Sequence, residues 1–248
     1  MTEGYGLNRM ADNVAEIRRR MAEAAIAAGR HPQEVLLCAA CKSRSSDTVK
    51  LSSALPVDLF GENRMQEMAA HHEAGAYGGK PCHFIGHLQT NKVNRVVGLA
   101  AVIQSVDSLR LLEAIDREAS GQGLVQDILF EVNIGAELSK SGAAIGGLRP
   151  LFEAAAAMNN IRVRGLMAIP PACDNAQESR RYFAMLRQLF EQTARQRYKN
   201  ALLDTLSMGM SDSYEAAILE GATIVRVGMG IYGERGQAAG QTGIAANP

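Results

Sequence analysis

The stretch VLLCAACKSRSSD, residues 35–47, decides the architecture. It opens with apolar residues that do not alternate with polar ones, as in a strand buried on both faces. It then breaks at Lys42 into a polar turn. An open, doubly wound sheet would carry a glycine-rich turn at this point, and CKSRSSD has no glycine. Seven more short apolar runs follow, at 57–60, 83–85, 101–104, 128–132, 162–167, 202–206 and 224–227. Helical segments separate them. Strand and helix alternating eight times call for parallel strands with helical crossovers. Eight such units closing on themselves make a (β/α)8 barrel, an α/β fold of about 250 residues; this chain has 248.

The segment before the first strand reads as an extra helix. Met10, Val14, Ile17, Met21 and Ala25 recur at spacings of three and four, and Gly29 ends it. Asp107 and Ser108 are placed to cap SLRLLEAIDREA, which Gly121 closes. Asp212 to Glu215 has the form of a capping box opening a short helix that Gly221 ends. Asp174 is expected to open the longest helix, to about Tyr198. With no interior linker or repeat, one domain is expected over residues 1–235. The small, polar residues 236–248 read as a disordered tail.

Hydrophobic residues make up 47% of the chain and charged ones 21%, enough for a sizeable core. Twenty-six basic residues balance 26 acidic ones, so no bulk field favours nucleic acid or an anionic membrane. No apolar run approaches the ~20 residues of a membrane span. The polar start MTEGYGLNRMADN lacks the apolar core of a secretory signal. A cytoplasmic protein is expected. Cys38 and Cys41 spell C-x-x-C, but three residues apart on a strand they face opposite ways. With Cys82 and Cys173 they read as reduced, ordinary cysteines.

In a barrel, function collects where strands end at the C-terminal face. Here the strands run into Lys42, Gly61-Glu62-Asn63, Gly86-His87, Ser105, Asn133, Met167-Ala168, SMGMS at 207–211 and RVGMG at 226–230. That rim offers an amine, amides, a hydroxyl, a guanidinium and bare backbone. It has no carboxylate pair and no ligand cluster for a metal. The set suits an anion and a carbonyl adduct rather than hydrolysis or metal chemistry.

Lys42 is one of only six lysines and the one that directly follows an apolar strand. Alternation places it with Leu36, Cys38 and Ala40, on the face read as the barrel interior. An amine among apolar walls loses part of its charge and becomes available for imine formation. The competing reading is a strand-end lysine that simply reaches solvent. Loops after strands seven and eight frequently bind phosphate in barrels. Ser207 has a hydroxyl for that role, and backbone N–H groups near Met208, Gly228 and Met229 could line the anion, although glycines there also serve tight turns. Arg226 inside IVRVG needs an acceptor if inward; a ring nitrogen or a carboxylate would serve. His83 is expected as a hydrogen-bonded barrel residue and His87 as a rim residue. His71 and His72 read as a solvated helix end, and Glu62 as an acid/base group or a helix-opening glutamate.

Phe60-Gly61-Glu62-Asn63 with Gln66-Glu67, then His83-Phe84-Ile85-Gly86 with Leu88-Gln89 and Asn91-Lys92, form ordered signatures. Ser105-Val106-Asp107, Val132-Asn133 with Lys140-Ser141-Gly142, Gly165-Leu166-Met167, LSMGMS and VRVG follow. Over nearly its whole length the chain resembles the pyridoxal phosphate homeostasis proteins, single-domain barrels similar to the N-terminal domain of alanine racemase. The resemblance implies pyridoxal 5′-phosphate (PLP) held on Lys42 as a Schiff base. Ser207, Gly228 and the Met229 backbone would take the phosphate, Arg226 would face the pyridine nitrogen, and Asn63 would lie beside the ring. It implies a role in intracellular PLP supply and amino-acid and keto-acid balance, with apo forms of PLP enzymes as candidate recipients. A monomer is expected. Three departures stand out: Met229 where Ser or Thr is usual, Cys82 where Trp is common, and Arg64 where Tyr is frequent.

No robust turnover is expected. An arginine at the pyridine nitrogen supplies no proton to the ring, which makes it a poorer electron sink. Racemisation also needs a base on each face of the α-carbon, and Lys42 is the single strong base foreseen. The alternative is a weak PLP-dependent amino-acid racemase.

Overall fold

The computed structural model describes residues 2–233 except 138–139 and 174. Eight parallel strands close a barrel in sequence order. They are β1 Leu36–Ala40, β2 Leu59–Glu62, β3 Cys82–Phe84, β4 Val102–Val106, β5 Gln126–Val132, β6 Ile161–Ala168, β7 Ala201–Ser207 and β8 Ile224–Val227. Each apolar run read from the sequence became a strand. The helices are α1 Thr2–Ala27, α2 Ser46–Ser53, α3 Met65–Glu73, α4 Leu109–Gly121, α5 Leu148–Ala157, α6 Ala176–Ala194, α7 Tyr214–Leu219 and α8 Met229–Tyr232.

Strand alternation divides the apolar residues into two sets. Leu37, Ala39, Phe60, Phe84, Ile103, Ile128, Phe130, Leu166 and Val225 point outward and join the helices in one continuous core. Cys38, Leu59 and Ile224 form a small separate cluster inside the barrel. Cys38 and Cys41 therefore lie on opposite sides of the wall, and all four cysteines are free. The lower opening is closed by charge. Asp127 at the start of β5 accepts from Arg162 at 2.6 Å and Arg164 at 2.8 Å, and Arg164 also pairs with Asp204.

The extra helix α1 lies over α7, α8 and α2, outside the seam between β8 and β1. Met10, Val14, Ile17, Met21 and Ala25 are its buried stripe. Asn13 Nδ2 donates to Ile231 O at 3.0 Å, tying the helix to the chain after β8. At 26 residues α1 is the longest helix, not the one after β6. That helix starts at Ala176 with Asn175 accepting from Glu178 N–H; Asp174 lies outside the described residues, as do the boundary at 235 and the tail 236–248. The capping box at 212–215 does not form. Ser213 Oγ instead accepts from Met210 N–H, tightening the loop before the helix. Ser108 occupies its cap position without a side-chain bond.

Among the described residues no helix is long and apolar enough to cross a membrane. One close approach depends on glycine. A Cβ on Gly165 of β6 would sit 1.7 Å from Thr205 O of β7, inside a register shift between the two strands. Gly165→Ala must push two paired strands apart and is expected to cost about 3 kcal/mol or more, measured as a lower urea midpoint at unchanged slope.

Candidate functional site

The barrel floor beneath the rim is polar and fully connected. Arg226, inward on β8 and 4% exposed, donates through Nη1 to Ser207 Oγ at 2.6 Å and through Nη2 to Ala168 O at 3.0 Å. Ser207 O–H donates to Gln104 Oε1 at 2.7 Å. Gln104 Nε2 stands 2.8 Å from His83 Nδ1. Burial lowers the His83 pKa to about 4, with the Arg164 charge adding to it. His83 is therefore neutral at physiological pH, and its Nδ1 accepts. The chain of bonds joins β3, β4, β7, β8 and β6. Within the chain the acceptors for Arg226 are thus a hydroxyl and a carbonyl.

Above this floor the rim residues have different fates. Lys42 sits past the end of β1, in the turn after Cys41, and is exposed. Its side chain is exposed rather than enclosed as expected, and Cys38 and Ala40 precede it on the inner face of β1. Asn63 is half-buried and lines a rim pocket of about 230 Å³ with Arg64, Phe84, His87 and Lys92. His83 is a buried, hydrogen-bonded barrel residue and His87 an exposed rim residue, as expected. The side chain of Met208 is buried in the outer core, and its N–H donates to Ile224 O at 3.1 Å. Met229 is 59% exposed. Among the described residues no hydrogen bond takes the N–H of Gly228 or of Met229. The Cβ that Gly228 lacks would lie 3.1 Å from Ala40 O, so the loop after β8 hugs the end of β1.

Two groups escaped the sequence reading. Glu131 on β5 is 6% exposed and shares the inward face with Leu129. Burial raises its carboxyl pKa to about 7, the charge of Asp107 raises it further, and Arg226 opposes both. Alternation along ILFEV was the available signal. The other is His71, taken as solvated but 3% exposed and bonded to the wholly buried Glu62 at 2.7 Å. Glu62 faces out of the barrel toward α3, so it is neither a rim acid nor a helix-opening residue. His72 beside it is exposed as expected. Among the described residues no group of three His, Cys, Asp or Glu could hold a metal ion.

A family model described as the alanine racemase N-terminal domain matches residues 6–236. The chain belongs to that family. It is 39% identical over 224 residues to the pyridoxal phosphate homeostasis protein of Aquifex aeolicus, covering 90% of this chain and 97% of that one. With the protein of the same name from Pseudomonas aeruginosa it shares 38% over 229 residues, covering 92% and 97%. A crystal structure of a Bifidobacterium adolescentis protein superposes with a TM-score of 0.87 at 33% identity, over 92% of this chain and 96% of that chain. PipY of Synechococcus elongatus, solved with PLP bound, superposes with a TM-score of 0.78 at 31% identity, over 90% and 100%. Alanine racemase of Clostridium difficile shares the fold alone, with a TM-score of 0.67 at 14% identity.

Glu131 lies on the inner wall, where its proton state is read through stability. The unfolded chain releases this proton near pH 4.5, whereas the folded chain keeps it to about pH 7. Stability from this residue therefore falls as pH rises between those values and is level above them. Glu131→Gln is expected to be more stable than the parent by about 3 kcal/mol at pH 8, with the gap closing toward pH 4. Urea unfolding of both proteins across that range checks the sign.

Proposed function

We propose that this protein binds PLP and acts in its homeostasis, storing the cofactor and delivering it to apo-enzymes. The observation that carries the reading is the pairing of an exposed mouth lysine, Lys42, with a buried guanidinium, Arg226, that already has its own acceptors. The relatives named for PLP homeostasis and the PLP-bound PipY support it. Lys42 Nζ is the proposed attachment point, condensing with the aldehyde to an imine and releasing water. The N–H groups of Gly228 and Met229, which spend no hydrogen bond among the described residues, are the proposed phosphate donors. Ser207 and Met208 join them only by giving up their present bonds to Gln104 and Ile224 O. Asn63 is proposed to stand beside the ring. Because contact at residue 229 would be through the backbone, a methionine there costs one hydroxyl contact of roughly 1.5–3 kcal/mol, not the whole site.

When bound, PLP supplies an electron sink to whatever amine it holds. Arg226 only donates hydrogen bonds, so a pyridine nitrogen facing it accepts one and is left without a proton. That supports storage and delivery over turnover. The protein is proposed to be a cytoplasmic monomer. One observation favours a second reading, a weak amino-acid racemase: Glu131 is an inward carboxyl that holds its proton to near neutrality, a second acid/base group in addition to the proposed Lys42 amine.

Purified protein with PLP is expected to show a visible band that borohydride fixes on Lys42, and Lys42→Ala is expected to lose it. Since Lys42 is exposed, the substitution is expected to change stability by no more than about 0.5 kcal/mol. No fixable adduct on Lys42 in the parent protein overturns the reading. Sustained conversion of L-amino acids, lost in Lys42→Ala, overturns the carrier role in favour of the racemase.

A further inference from the structure

The turn that carries Lys42 is held from behind the barrel wall. Arg44 N–H donates to Cys41 O at 2.9 Å, closing a four-residue turn with Lys42 and Ser43 at its centre. Ser43 has φ +60°, a left-handed conformation that is strained for a residue with a Cβ and persists when surrounding structure imposes it. Three bonds from outside impose it. Ser43 N–H donates to Glu67 Oε2 at 3.1 Å, and Arg44 Nη2 donates to Gly233 O at 2.6 Å. The third comes from α3, where His71 Nε2 lies 3.1 Å from Arg44 O.

Behind His71 stands Glu62. Its Oε1 is 2.7 Å from His71 Nδ1 and accepts from Tyr77 O–H at 3.1 Å. Among the described residues its other oxygen is buried with no partner. Burial raises the Glu62 carboxyl above its ordinary pKa, against the bonds from His71 and Tyr77. A carbonyl only accepts, so Nε2 of His71 carries a hydrogen. Nδ1 and Glu62 then hold one further proton between them, and either placement locks the ring toward Arg44. A buried carboxyl with an unsatisfied oxygen is costly, and an apolar pair would often pack such a place at no loss of stability. What the pair accomplishes that an apolar one would not is a directed bond to the backbone two residues beyond Lys42.

We propose that Glu62 and His71 are positioning residues for the Lys42 amine, fixing the strained turn through the Arg44 carbonyl. The proposal rests on Lys42 as the attachment point.

Glu62→Leu/His71→Phe removes the bond without leaving a charge buried, and Glu62→Gln can still donate to Nδ1. In full-length protein, tryptic cutting after Lys42 and Arg44, mapped by mass, is expected to be about tenfold faster in the double variant, the weight of one hydrogen bond. PLP release, followed by the visible band, is expected to accelerate similarly, and Glu62→Gln is expected to restore both rates toward the parent's. Parental cutting and release in a folded double variant overturn the proposal. Should that variant not fold, ¹⁵N spectra of histidine-labelled parent protein decide. Nε2 protonated in His71 supports the tether, and Nε2 unprotonated overturns it. Absence of an adduct on Lys42 in the parent would sink the functional reading instead, while the cutting rates and the ¹⁵N spectra still judge the tether.

Discussion

A guanidinium inside a closed barrel sets the terms for the mouth above it. Arg226 is almost wholly shielded from solvent, and a buried charge left without partners costs several kcal/mol. Burial already pulls its pKa below the ordinary arginine value. Ser207 and the Ala168 carbonyl satisfy it, the Ser207 hydroxyl donates a hydrogen bond to Gln104, and Gln104 in turn donates to a neutral His83. Five strands thereby share one hydrogen-bonded belt. The belt matters most between β7 and β8, whose register is a single pair, Ser207 with Ile224. The Arg226–Ser207 bond crosses that same seam, so the group that fills the barrel floor also helps close the barrel.

The mouth divides into fixed and free parts. Arg226 and Ser207 are immobilised by their mutual bonds, while the Lys42 side chain extends into solvent from a turn pinned at Ser43 and Arg44. A side chain that is mobile only beyond a rigid anchor loses little freedom on meeting a ligand, the condition under which positioning contributes most. The cost of that anchor appears elsewhere, in the left-handed Ser43 and the half-satisfied Glu62.

Much of this was legible in the chain. The eight apolar runs became the eight strands because strands covered on both faces need unbroken Val, Ile and Leu, and the stripe from Met10 to Ala25 became the buried face of α1. Errors arose where the partner is remote in sequence. His71 sits in a polar stretch, and only the fold brings Glu62 and the Arg44 carbonyl to its two nitrogens. For Ser207, read as a loop-end donor, the sequence holds no sign of the intra-chain acceptor that the fold supplies, Gln104, more than a hundred residues earlier. Asp212 to Glu215 has the spelling of a capping box, but the helix starts after Ser213, whose hydroxyl is taken by the loop before it.

Periodicity and composition, acting locally, were enough to determine a closed parallel barrel with one added helix and to put Lys42 and Arg226 at its C-terminal end. Which hydrogen bonds those residues make, which of them face water, and that Glu131 keeps its proton to near neutrality were decided by tertiary structure alone. Hydrogen bonds and desolvation depend on distances between residues far apart along the chain, and no local pattern encodes those distances.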